Sequence, residues 1–136
     1  MATVTGGCLC GAVRYAYDGE IGTAGYCHCA DCRKISGSAF GISVPVEAAG
    51  FRITQGTPKS FTKPGDSGRP VTRSFCPECG SPLYTTPPAR PGVLFLKAGS
   101  LDDPSVVKPD RQAWVRSRVS WAHIEPGIAS FETSRG

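Results

Sequence analysis

Short alternations of apolar and polar residues, each cut off by glycine or proline, run the length of the chain. Val13, Tyr15 and Tyr17 alternate with Ala12, Arg14 and Ala16, which predicts a half-buried strand. Phe40, Ile42 and Val44 repeat the period, with Pro45 as its expected end. Phe51 with Ile53, and Ser60-Phe61-Thr62 before the Lys63-Pro64-Gly65-Asp66 turn, predict two further strands. Val71, Arg73 and Phe75 predict another, Leu83-Tyr84 a short one, and the apolar run Val93 to Lys97 a buried one. Trp114 to Val119 is the last strand the pattern predicts. No stretch holds helical periodicity for three turns. One short helix is expected over Asp31 to Ser36, stopped by Gly37. With no internal repeat or linker, the reading is one mainly β domain over residues 1–136.

Composition sharpens this picture. Gly 17 and Pro 12 favour many short strands joined by turns, and 40% hydrophobic residues suffice for a core. No apolar run reaches about 18 residues, so no membrane-spanning helix is expected. The opening Met1-Ala2-Thr3-Val4-Thr5-Gly6-Gly7 lacks the charged and apolar regions of a secretory signal. The seven cysteines are odd in number and sit in tight pairs and a triplet. That clustering suits metal binding in a reducing compartment, hence a cytoplasmic protein, better than a disulfide framework.

Three clusters carry the chemistry: Cys8-Leu9-Cys10, Cys27-His28-Cys29-Ala30-Asp31-Cys32, and Cys76-Pro77-Glu78-Cys79. Tetrahedral zinc closes with four thiolates, and the doublets Cys8/Cys10 and Cys76/Cys79 supply four. A zinc shared between them would staple distant parts of the chain together. The remaining triplet, Cys27, Cys29 and Cys32, offers three ligands and an open fourth position, the arrangement of a catalytic zinc. A soft thiolate is a natural fourth ligand there. Two zinc ions per chain are therefore expected. With seven thiolates and two zinc ions counted, the formal charge of +4 falls to about +1. With Lys and Arg also scattered, a nucleic-acid partner is not expected.

Other readings compete at several positions. His28 lies between two cysteines and is a ligand completing a closed site, an outer hydrogen-bonding group, or a solvated side chain. The CxxC pairs would suit thiol redox chemistry, but the βαβ setting of such motifs is absent. A single zinc with stray thiols is a further option. His123, Trp114 and Trp121 read as packing or surface residues, and Asp102-Asp103 before Pro104 as a capping turn.

These residues resemble a known family. Gly7-Cys8-Leu9-Cys10-Gly11-Ala12-Val13-Arg14-Tyr15, Cys27 to Lys34 with Gly37-Ser38, and Phe75-Cys76-Pro77-Glu78-Cys79-Gly80 are similar to the glutathione-dependent formaldehyde-activating enzymes, a family that includes centromere protein V. Ala98-Gly99-Ser100-Leu101-Asp102-Asp103-Pro104 resembles its later turn, and Ser117 with Trp121 its C-terminal Ser-x-x-x-Trp. The resemblance implies a β-tent zinc fold, with a structural zinc on Cys8, Cys10, Cys76 and Cys79. It implies a second, substrate-facing zinc on Cys27, Cys29 and Cys32. The implied activity is condensation of glutathione with formaldehyde to S-hydroxymethylglutathione, run in reverse as a carbon–sulfur lyase. The chain departs from the pattern at Gln112-Ala113, where many members carry a His two positions before the aromatic.

The sequence thus points to a zinc enzyme acting on a small thiol adduct, with glutathione or a similar thiol as its partner. Arg33 or Lys34 beside the triplet, and backbone amides around Gly37 and Ser38, are the expected contacts for a substrate carboxylate. A non-catalytic zinc module that binds a protein is the alternative, and both a monomer and a homodimer are compatible with the sequence.

Overall fold

Alternation at Tyr15 and Tyr17 does make a strand, and hydrogen bonds to flanking strands on both edges fix it in a small sheet. The computed structural model describes residues 3–134. Its strands are β1 (Thr3–Gly7), β2 (Arg14–Asp18), β3 (Thr23–Cys27), β4 (Gly41–Glu47), β5 (Phe51–Gln55) and β6 (Lys59–Pro64). They continue with β7 (Pro70–Phe75), β8 (Pro82–Thr86), β9 (Val93–Lys97), β10 (Lys108–Ala113) and β11 (Ala129–Ser130). The helix α1 (Ala30–Ser36) joins β3 to β4, and short 3-10 turns fill several connections. The small sheet runs β1-β2-β5, and the large one runs β11-β10-β3-β4-β9-β8-β7-β6. Pairing is antiparallel except where β10 lies parallel to β3 and β11. The chain is mainly β.

The core lies between the sheets. Tyr15, Phe51 and Tyr84 form a chain of rings with centroids 5.4 and 5.0 Å apart, linking β2 and β5 to β8. Val44, Leu83 and Leu96 fill the space beside them with no exposed surface. Burial of each such side chain contributes about 1.5–3 kcal/mol. β2 is buried more fully than alternation predicts, because Ala16 is covered as well as Tyr15 and Tyr17.

The helix matches expectation. Gly37 ends it in the left-handed conformation (φ 66°), which a residue without Cβ adopts freely, and its N–H donates to the Arg33 carbonyl. Two expectations fail. Pro45 does not close β4 but lies inside it, opposite Phe95. β3 pairs with β4 only as far as Ser43, so beyond that point one edge of β4 is free and a missing N–H there breaks no ladder. Nor is Trp114 to Val119 a strand. Trp114 turns left-handed at φ 59°, and a 3-10 turn follows over Val115–Ser117. The chain ends its pairing with β3 at Ala113 and bends to meet the returning C-terminal segment, where Trp114 N–H donates to Thr133 O and Val115 N–H to Phe131 O.

The turn after β9 pins the two sheets together. Asp102 accepts from both Arg14 guanidinium nitrogens and from the Thr5 hydroxyl, while Tyr15 and Ser100 share a 2.6 Å hydrogen bond. Asp103 caps the next turn through Ser105 N–H. The Arg14 hydrogen bonds hold the Asp102 carboxyl at about 2, below the ordinary 3.8. A depressed carboxyl stabilises the fold above its unfolded pKa and loses that contribution as pH falls through the folded one. Both partners are about a third or more exposed, so Asp102→Asn should cost only about 0.5–1 kcal/mol near neutrality. Chemical denaturation should show the gap narrowing as pH drops from about 4 toward 2.

Candidate functional site

Two turns from different sheets meet at the first cysteine cluster. Cys8 and Cys10 sit in the turn between β1 and β2, closed by Cys8 N–H to Val13 O, and Cys76 and Cys79 in the turn between β7 and β8, closed by Cys76 N–H to Ser81 O. Leu9 N–H donates to Ser81 Oγ and locks one turn on the other. The four sulfurs lie within 4.8 Å of one another. Cys10 Sγ is 3.7 Å from both Cys8 Sγ and Cys76 Sγ. Zinc–sulfur bonds of about 2.3 Å in a tetrahedron require sulfur–sulfur edges of about 3.8 Å, so the spacing fits a metal rather than a disulfide. Backbone N–H groups also point at the sulfurs, from Val13 to Cys8 and from Glu78 to Cys76. The Ser81 hydroxyl, followed by its backbone N–H, pulls the Cys79 thiol down to about 5.

The triplet is local. Cys27 ends β3, Cys29 caps α1, and Cys32 lies in the helix's first turn, where its N–H donates to Cys29 Sγ at 3.3 Å. Its three sulfurs also lie within 4.8 Å of one another. Hydrogen bonds from the Cys27 and Cys32 thiols hold Cys29 down at about 2, while the same contacts push Cys27 up. Three thiols this close cannot all ionise unless a cation sits among them. The donor set therefore fits a bound metal ion. Gly41 lets the helix approach, because a Cβ there would lie 3.3 Å from Cys32 Cβ.

His28 is no part of that cluster and is not solvated. It is fully buried, points between β10 and Phe40, and shares a 2.9 Å hydrogen bond with Gln112 Oε1. Gln112 in turn donates to Ser130 Oγ. Its amide orientation leaves Oε1 to accept from His28 Nε2–H, and His28 Nδ1 is buried with no partner.

Cys27 and Cys32 open into a cavity of about 670 Å³ walled by Phe95, Trp114 and Phe131. Arg33, Lys34 and Gly37 do not line it, and Ser38 faces a different cleft. At Gly37 and Ser38, where a carboxylate contact is expected, Gly37 N–H donates to Arg33 O and Ser38 N–H to Ser36 Oγ. The side chains that do line the cavity include Arg73, Arg90, Lys97 and Arg111, none of them singled out by the sequence pattern. Burial pushes the Lys97 ammonium down, opposed by the nearby Cys32 sulfur. Trp121 and His123 are exposed, away from the cavity lining. No helix among the described residues is long and apolar enough to cross a membrane.

Comparison with known proteins agrees with the cysteine geometry. A crystal structure of a Rhodobacter sphaeroides protein, solved as a structural-genomics target, is similar over 93% of this chain and 98% of its own, with a TM-score of 0.58 and 16% sequence identity. At that identity the likeness speaks for the fold alone. The family model described as "Glutathione-dependent formaldehyde-activating enzyme" matches residues 3–117. The chain therefore belongs to the glutathione-dependent formaldehyde-activating enzyme family.

Proposed function

We propose that this chain is a zinc-dependent enzyme that binds a small thiol, glutathione or a relative of it, at Cys27, Cys29 and Cys32. It would form or cleave a carbon–sulfur adduct such as S-hydroxymethylglutathione, as a carbon–sulfur lyase. The observation that carries the reading is the contrast between the two clusters. Four sulfurs can close one site, whereas the other offers three, and two of its cysteines, Cys27 and Cys32, line a cavity large enough for a tripeptide-sized ligand. Zinc bound at the triplet would lower the pKa of an entering thiol and hold it as thiolate. In the condensation the sulfur–carbon bond forms as the carbonyl π bond opens, and the thiol proton ends on the former carbonyl oxygen.

The chain's own residues would supply the rest. Phe95, Trp114 and Phe131 form apolar walls that limit water around the sulfurs. Arg33 and Lys34, beside the triplet, would add positive potential for an anionic substrate. Cys8, Cys10, Cys76 and Cys79 would hold a structural zinc. No disulfide joins any of the seven cysteines, which suits a reducing cytoplasm.

Cobalt substitution tests the reading, because thiolate-to-cobalt charge-transfer bands strengthen with each sulfur ligand. Adding glutathione should intensify the bands and saturate. Cys27→Ser and Cys32→Ser should abolish the response and leave the four-cysteine spectrum intact. A spectrum indifferent to any thiol would mean a closed second site, and the enzyme reading would fall.

A further inference from the structure

Lys97 ends β9 and stands opposite Ser43 on β4, so both side chains leave the same face of the large sheet. Both line the cavity that Cys27 and Cys32 enter. An ammonium has only N–H donors to offer, and this one uses a single donor, on Ser43 Oγ at 3.3 Å. Among the described residues it has no carboxylate partner, and no Asp or Glu lines the cavity. Its other donors are left for what the cavity holds.

Those donors sit beside the sulfurs. Burial lowers the Lys97 ammonium, and the groups that oppose the lowering are the three triplet sulfurs, Cys32 foremost. Gly41, opposite Cys27 where β4 pairs with β3, keeps the space between cation and sulfur open. A Cβ there would lie 3.8 Å from Cys32 Sγ and 3.9 Å from Lys97 Nζ. The other lining cations are placed differently. Arg111 donates to Asp110 and to Thr23, each at 2.8 Å, and Arg90 rests 5.4 Å from the centroid of the Phe95 ring. Arg73 stands on β7, two strands farther along the sheet from β3 than Lys97 on β9. Lys97 is the cation positioned to meet chemistry at the triplet.

That chemistry needs such a group. Three thiolates and an entering fourth leave the site net negative even with a divalent ion among them. As the sulfur lone pair forms the sulfur–carbon bond, the carbonyl π pair moves onto oxygen and adds negative charge close to those sulfurs. We infer that Lys97 is a catalytic residue whose Nζ donates to this oxygen as its charge develops. The inference rests on the reading of the triplet as the thiol site. The thiol proton leaves to solvent, the oxygen takes one from water, and Lys97 stays charged throughout. In the reverse direction the same contact steadies the oxygen while the sulfur–carbon bond breaks. A donor fixed in place before reaction, inside an aromatic-walled cavity, acts more strongly than the same donor in water.

Thioacetate tests this without turnover, because it carries an electron-rich oxygen on the carbon bonded to sulfur, as the charged adduct does. Ethanethiol has the same skeleton without the oxygen. On the cobalt-loaded protein, titration of the charge-transfer bands gives the affinity of each. The preference for thioacetate should fall about tenfold in Lys97→Met, and Lys97→Arg should keep part of it. Both ligands bind as thiolates, so a Lys97 that only neutralised the sulfurs would weaken both alike and leave the ratio unmoved. Unchanged bands from the four-cysteine site report that each variant is folded. With zinc bound and glutathione saturating, adduct formation from formaldehyde should slow by about a hundredfold in Lys97→Met, with a far smaller change in the KM for glutathione. An unmoved ratio overturns the inference and leaves the thiol site standing. A wild-type triplet whose bands respond to neither ligand overturns the thiol reading, and the role of Lys97 with it.

Discussion

Cys76→Ser should leave the protein unable to hold its fold at physiological temperature, whereas Cys32→Ser should lower the melting temperature only modestly. The difference follows from what each cluster joins. Cys76 is fully buried, and its sulfur lies 3.7 Å from that of Cys10, 66 positions away. Metal at that cluster would tie the small sheet to the large one. A structural zinc site supplies about 10 kcal/mol or more, and typical domain stability is about 5–15 kcal/mol, so its loss is close to the whole. Cys27, Cys29 and Cys32 close only the end of β3 onto α1, and losing metal there opens no long-range contact. Metal content should follow the same division. Chelation followed by native mass spectrometry should remove one ion from the wild type well before the second. Cys32→Ser should keep one ion and Cys76→Ser none at the closed site. Equal melting temperatures for the two variants would erase the distinction between the sites.

The cysteine clusters were legible because their geometry is local. The CxC and CxxC spacings aim sulfurs at one point whatever fold surrounds them, and the partnering of Cys8/Cys10 with Cys76/Cys79 followed from the ligand count of a tetrahedral site. Most strands were legible for a similar reason, as in β9, where Val93 to Lys97 is apolar almost throughout. β10 was not. Its sequence, Lys108-Pro109-Asp110-Arg111-Gln112-Ala113, has no alternation, because its register shifts between Pro109 and Arg111 and its one deeply buried side chain, Gln112, is polar. The segment that follows, Trp114 to Val119, has alternating strand composition but turns at Trp114 to receive the C-terminal segment. The cations that line the cavity were invisible for a deeper reason: Arg73, Lys97 and Arg111 come from β7, β9 and β10, so no stretch of sequence holds two of them and strand pairing alone brings them to one cavity. His28 could have been placed had Gln112 been read as its partner.

That pair sets the second large effect. Gln112 is 7% exposed and bridges His28 Nε2 to Ser130 Oγ. Together with the bond from His28 N–H to Ala113 O, it clamps the Cys27-His28-Cys29 segment onto β10. Gln112→Leu keeps the volume but strands the His28 ring N–H in the interior, beside an Nδ1 that already lacks a partner. Leaving a buried donor unpaired costs about 1–3 kcal/mol, the loss expected in chemical denaturation. Ser130→Ala should cost less than about 0.5 kcal/mol, because the exposed Ser130 removes only one end of the bridge and water replaces it. Removing both buried partners should be milder than the sum. The His28→Leu, Gln112→Leu double variant should recover about 1 kcal/mol against additivity, since neither ring nor amide is then left unpaired. The clamp also orients two of the three triplet sulfurs. Gln112→Leu should therefore shift the cobalt charge-transfer bands of the triplet and leave those of Cys8, Cys10, Cys76 and Cys79 in place. A variant as stable as the wild type, with both sets of bands unmoved, would show that β10 does not hold the triplet through this side chain.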